Sequence, residues 1–224
     1  MPAPTHRLRA FTLIEMLVVM AVIAVLAAIL LNLNGLVQSK AARTRALGEI
    51  QTLSSGCDSY KADNGSYPQA PESSPGAKDS VTDNLDPRKD GNPNDPIYRS
   101  ASKWLYRELS GDLNFNGRNE PGANPPEPKG YLSDFFTPNR LGLDPNRAVG
   151  TADYVNFIKD PYGNSYGYST KGADAEQKFR TKVSTDPTAT RTAGQGYNPT
   201  FDLWSTAGKT TYDPTIANVW DKNW

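Results

Sequence analysis

Between residues 16 and 39 the chain carries no charged side chain, and residues 16–31 (MLVVMAVIAVLAAILL) are apolar throughout. At about 1.5 Å of rise per residue, roughly 20 helical residues cross a hydrocarbon layer of about 30 Å, so this segment is long enough to span a membrane. His6, Arg7 and Arg9 precede it and Lys40, Arg43 and Arg45 follow it. The charge count leaves orientation open, while a short basic head suits a start with the N-terminus inside. A cleaved secretory signal would need a small-residue site after the apolar stretch, and Ala27-Ala28 is only a weak one. Neither a plain anchor nor a signal accounts for Glu15, a carboxylate just inside the apolar helix. Its ionised burial costs several kcal/mol unless it is paired or reaches headgroup depth.

Outside this segment the chain is polar and rich in turns. Of 224 residues, 18 are Gly and 18 are Pro, and mean hydropathy is −0.60 despite the apolar stretch. Lys and Arg number 24 against 24 Asp and Glu, so no bulk positive charge draws the chain to polyanions, and no nucleic-acid partner is expected. The single cysteine, Cys57, excludes an intramolecular disulfide and any multi-cysteine metal cluster. The single histidine, His6, removes most imidazole chemistry, and no nucleophile-elbow, phosphate-loop or dinucleotide glycine pattern occurs. These absences argue against an enzyme.

The stretch Arg9-Ala10-Phe11-Thr12-Leu13-Ile14-Glu15-Met16-Leu17-Val18-Val19 resembles the processing site of type IV prepilins and type II secretion pseudopilins. That family usually has Gly where this chain has Ala10. The resemblance implies cleavage between Ala10 and Phe11 by a membrane prepilin peptidase, which also methylates the new amine of Phe11. It gives Glu15 a role in assembly, pairing with the amine of a neighbouring subunit in a low dielectric. A subunit docked one step out would leave both charges unpaired. A second segment, Tyr60-Lys61-Ala62-Asp63-Asn64-Gly65-Ser66-Tyr67-Pro68, is similar to the helix end of major pseudopilins.

Beyond the apolar span, Asn32 and Asn34-Gly35 weaken the helix, so a bend or local melting is expected there. Leu36, Leu47, Ile50, Leu53, Cys57 and Tyr60 then recur at helical spacing, marking a face that packs on a globular head, with Cys57 in its core. The helix is expected to end near Lys61, where Asp63-Asn64-Gly65 supplies turn formers. Residues 69–100, with Pro71, Pro75, Pro87, Pro93 and Pro96, read as a long surface excursion, followed by a short docking helix over 101–109 carrying Trp104, Leu105 and Leu109.

Asp112, Asn114, Asn116 and Gly117 form D-x-N-x-N-G, the first half of a calcium loop, with Glu120 as a further ligand; Ala123 stands where the usual twelfth-position Glu would be, and a plain turn is the alternative. Residues 154–158, 160–164 and 166–170 read as strand, turn, strand. Asp160-Pro161-Tyr162-Gly163 with Tyr166 and Tyr168 resembles the hairpin of the pseudopilin sheet, and residues 201–205 resemble its last strand. In that family the loop after this strand binds calcium, which points to Ser205, Asp213 and Asp221, although Lys209 also lies in it.

The expectation is an α+β, pilin-like chain: a long N-terminal helix, membrane-spanning and then amphipathic, packed on a small antiparallel β-sheet. Its parts are a leader (1–10), a transmembrane and assembly helix (11–35) and a periplasmic head (36–224). By resemblance it is a filament subunit of a type II secretion pseudopilus serving protein export, anchored by a single pass in the bacterial inner membrane. Its expected partners are the prepilin peptidase, identical and related pseudopilins, and the inner-membrane secretion platform, with Ca2+ as a cofactor. A type IV pilus subunit for adhesion, motility or DNA uptake, and a membrane-tethered calcium-binding module that does not polymerise, are the alternatives.

Overall fold

A computed structural model describes residues 12–70, 81–118, 129–192, 194–211 and 220–224, with the side chains of 29–36 and 81 left aside. Ala10, Phe11, Leu36, Pro71, Pro75, Glu120 and Asp213 fall outside that description. The architecture is α+β: a long helix α1 (Leu13–Asn64), then α2 (Val81–Asn84), α3 (Pro96–Ser110), β1 (Leu141–Leu143), β2 (Val155–Ile158), β3 (Gly167–Ser169), α4 (Lys171–Thr185), β4 (Asp202–Ser205) and β5 (Asp221–Lys222). Contacts divide the chain into Met1–Ala41 and Ala42–Trp224.

In the first unit the helix is apolar all round. Leu13, Ile14, Met16, Leu17, Val18, Val19, Met20, Val22, Ile23, Val25 and Leu26 are each at least half exposed. Among the described residues no helix is long and apolar enough to cross a membrane. Helical hydrogen bonding runs unbroken through residues 32–35, so the melting expected there does not occur. The long helical runs on either side, residues 13–31 and 36–64, outweigh the weaker propensity of two Asn and one Gly.

The second unit folds around two clusters. Ile50, Leu53 and Cys57 of α1 meet Leu105, Tyr106 and Leu109 of α3, together with Leu141, Val155, Ile158, Tyr166, Tyr168 and Leu203. Tyr98 and Ala101 of α3 meet Leu85, Trp204 and Trp220 in the other cluster. Ala46, Ile50, Leu53 and Cys57 are separated by four, three and four residues and are all buried, so they form one helix stripe. Leu47, expected on that stripe, is 44% exposed; it lies about 100° round from Ala46, which takes its place. The helix ends as expected in sequence, with Gly65 turned to φ 78° and its N–H donated to Lys61 O at 2.8 Å.

Residues 69–100 are not wholly a surface excursion. Thr82 and Leu85 are fully buried, and α3 begins at Pro96, five residues earlier than expected. Proline suits the first helical position because its missing N–H has no intrahelical partner there, and the Asp95 carboxylate caps the Ile97 N–H at 2.8 Å.

Two sheets form where one was expected. β1 pairs with β2 antiparallel, with a register irregularity between Gly142 and Leu143; β3, β4 and β5 form a second antiparallel sheet with β4 at its centre. The 159–165 turn does form, with Lys159 bridging Ser165 and Tyr166 N–H donating to Ile158 O at 3.0 Å. The strands on its two sides then join different sheets, so they do not make the expected hairpin. The strand at 201–205 is central and not last: β5 follows and pairs with it. Helix α4, over residues 171–185, was not anticipated because Phe179 and Val183 are its only apolar side chains larger than Ala, too few to mark a face.

Candidate functional site: the helix start and the buried carboxylates

Thr12 and Glu15 organise the helix start. Thr12 O accepts the Met16 N–H at 3.3 Å, which makes Thr12 the cap residue. Thr12 N–H and Oγ1 both donate to Glu15 Oε2 at 2.8 Å, and the Glu15 N–H donates back to Thr12 Oγ1 at 3.3 Å. This is a capping box, legible as T-x-x-E in Thr12-Leu13-Ile14-Glu15. Glu15 Oε1 is uncommitted among the described residues, and the side chain is exposed.

In the head, Asp160, Ser205 and Asp221 come together. Asp160 Oδ1 accepts the N–H groups of Tyr162 (3.0 Å) and Asn164 (2.8 Å), and Oδ2 accepts Ser205 Oγ at 2.5 Å. Tyr162 Oη donates to Asp221 Oδ2 at 3.2 Å, and Arg43 Nε lies 3.0 Å from Asp221 Oδ1 as an ion pair without hydrogen-bond alignment. Burial pushes the Asp160 carboxyl up to about 6, against the downward pull of its three donors. Burial likewise raises Asp221, and it pushes Tyr162 up to about 12. Nearby, Glu49 accepts Tyr166 Oη at 2.8 Å and pairs with Arg140 at 3.2 Å, beside a cleft of about 600 Å3 walled also by Arg45 and Lys159.

At the D-x-N-x-N-G loop, Asp112 turns its carboxylate inward. Oδ1 accepts the N–H groups of Asn114 and Asn116, and Oδ2 accepts Gly117 N–H at 2.8 Å and Tyr106 Oη at 2.7 Å. Asn116 Oδ1 is given to Arg118 N–H. Of the side chains expected to bind calcium, Asp112 and Asn116 are thus engaged within the loop itself. Among the described residues no group of three or more His, Cys, Asp or Glu side chains is disposed to hold a metal. Glu120 and Asp213, which would complete the two candidate sets, lie outside the described residues. Cys57 is fully buried, and burial pushes its thiol up, as a core residue requires.

Comparison with known proteins bears on the helix start. Residues 6–31 match the prokaryotic N-terminal methylation motif, which makes this end of the chain prepilin-type. More particularly, 64 residues are 44% identical to the type II secretion system core protein G of Pectobacterium carotovorum subsp. carotovorum, covering 28% of this chain and 40% of that protein. Together the two matches support a pseudopilin. The chain spans well under half the length of this curated relative, and no solved structure matches the fold.

Proposed function

We propose that the chain is a structural subunit of a type II secretion pseudopilus, cleaved between Ala10 and Phe11, methylated at Phe11 and polymerised through its N-terminal helix. The methylation motif over residues 6–31, which runs into a helix whose described apolar side chains from Leu13 to Leu26 are exposed, carries this reading. Such a surface is stable only against lipid or against other apolar helices. A subunit stored in the inner membrane and then stacked beside copies of itself meets both conditions in turn. Glu15 supplies the registration: its uncommitted Oε1 accepts the Phe11 ammonium of a neighbour, and the ion pair offsets the burial of both charges.

The test is intact-mass and N-terminal analysis after co-expression with a prepilin peptidase, for wild type and Ala10→Gly. A mature chain beginning at methylated Phe11 is expected in both. An uncut chain in both removes the filament reading. With cleavage established, Glu15→Ala is expected to leave processing intact and to abolish filaments in sheared or crosslinked membrane fractions.

A further inference from the structure

Strands β3 and β4 are hydrogen-bonded neighbours, with Ser169 opposite Asp202, yet residues 170–201 intervene between them. This excursion holds α4 and the return segment, and Phe201 is its single buried hydrophobic side chain among the described residues. Core burial does not explain why it is ordered. Its backbone is nevertheless tightly tied: the Asp202 carboxylate accepts the N–H groups of Tyr197 (2.8 Å) and Asn198 (2.9 Å). Gly172 passes so close to the Asn198 carbonyl that a Cβ would sit 1.9 Å from its oxygen.

The excursion encloses an open cavity of about 410 Å3 whose walls include Arg88, Glu176, Arg180, Arg191 and Thr192. Arg180 and Arg191 both pair with the Glu176 carboxylate. Arg191 grips Glu176 through two contacts, Nε at 2.8 Å and Nη2 at 3.2 Å, and stacks over Phe179; Arg180 Nε reaches Glu176 Oε1 at 3.1 Å. Arg88 donates Nε to Gly196 O at 2.6 Å and lies over the Tyr197 ring. Glu176 therefore acts as an anchor that orients the two outer arginines. Both terminal nitrogens of Arg180 and Nη1 of Arg191 have no hydrogen-bond partner among the described residues. A preoriented pair of guanidinium groups with spare N–H donors, in excess over the carboxylate present, is the chemistry that grips planar or tetrahedral oxyanions. The cavity lies at the small end of the range for organic ligands, about 300–1,000 Å3.

We propose that this cavity binds an oxyanion, a carboxylate or phosphoryl group, carried on a molecule of about monosaccharide size. Arg180 and Arg191 hold the anion. The site belongs to the head alone and does not depend on the filament reading.

Isothermal titration of the full-length protein in neutral detergent at low ionic strength tests it, with inorganic phosphate, galacturonate and, as the uncharged match, glucose. Binding of either anion without glucose is expected, and the anion that binds identifies the group recognised. Arg180→Gln with Arg191→Gln is expected to weaken binding at least about tenfold, the loss of one or more charge-assisted hydrogen bonds. Thr192→Glu keeps both arginines and their ion pairs but places a negative charge on the exposed wall, and is expected to weaken binding by a similar factor. Absence of anion binding in the wild type, equal binding of glucose, or variants that bind as the wild type does overturns the proposal.

Discussion

Asp160 and Asp202 bracket β4, one holding Ser205 at its end and the other holding the amides of Tyr197 and Asn198 at its start. Burial lifts both carboxyls from 3.8 to about 6. Between pH 4 and pH 6 the folded protein keeps protons that the unfolded chain has released. The stability each protonated carboxyl contributes is therefore complete below the unfolded value and is lost as pH rises through the folded one. Asp160→Asn removes one of these titrations, while its carbonyl still accepts the Tyr162 and Asn164 amides and its amide donates to Ser205 Oγ. Measured by urea unfolding with tryptophan emission, the stability of wild type relative to this variant is expected to fall by about 2 kcal/mol between pH 4 and pH 7. A difference that does not change with pH contradicts the assignment. Cys57, fully buried with its thiol pushed up by burial, is expected to resist maleimide in native protein and to react fully in denaturant.

The inward stripe of α1 is the element that builds the head, and two leucines on it make opposite predictions. Leu53 is fully buried beside Leu105 and Leu109, so Leu53→Ala is expected to cost about 2–5 kcal/mol through lost burial and a residual cavity. Leu47, 44% exposed, is expected to cost under about 0.5 kcal/mol when changed to Ala. Equilibrium unfolding of the two variants side by side checks both figures, and equal losses would mean that the stripe is misplaced. Helix α4 is held differently, by the pairs Asp174–Lys178 and Glu176–Arg180 at i,i+4 and by the close approach of Gly172 to residue 198. Such a helix contributes little burial, which fits a surface that carries binding groups and not core.

The whole chain divides at residue 41, and all of the α1 residues in the main cluster lie beyond that point. Residues 42–224 are accordingly expected to be soluble without detergent and to unfold with the same pH profile as the full chain; aggregation or a shifted profile would tie the head's stability to the first unit. Much of the molecule was readable in local order. The apolar stretch, the T-x-x-E helix start, the stripe from Ile50 to Cys57, the stop at Gly65 and the strand at 201–205 depend on residues a few positions apart. Propensity, capping and periodicity act over that same distance. The separation of residues 155–158 and 167–169 into different sheets, the place of β5 beside β4, and the meeting of Asp160 with Ser205 and Asp221 were settled by tertiary structure. These contacts join segments about 16 to 59 residues apart, and the deciding energy is the joint burial of side chains such as Trp204, Tyr98 and Tyr168 from separate elements. By itself the sequence determined a prepilin-type helix and the face it offers to a head; which strands the head pairs, and that an arginine-lined cavity opens between α4 and the segment returning to β4, only the packed structure decided.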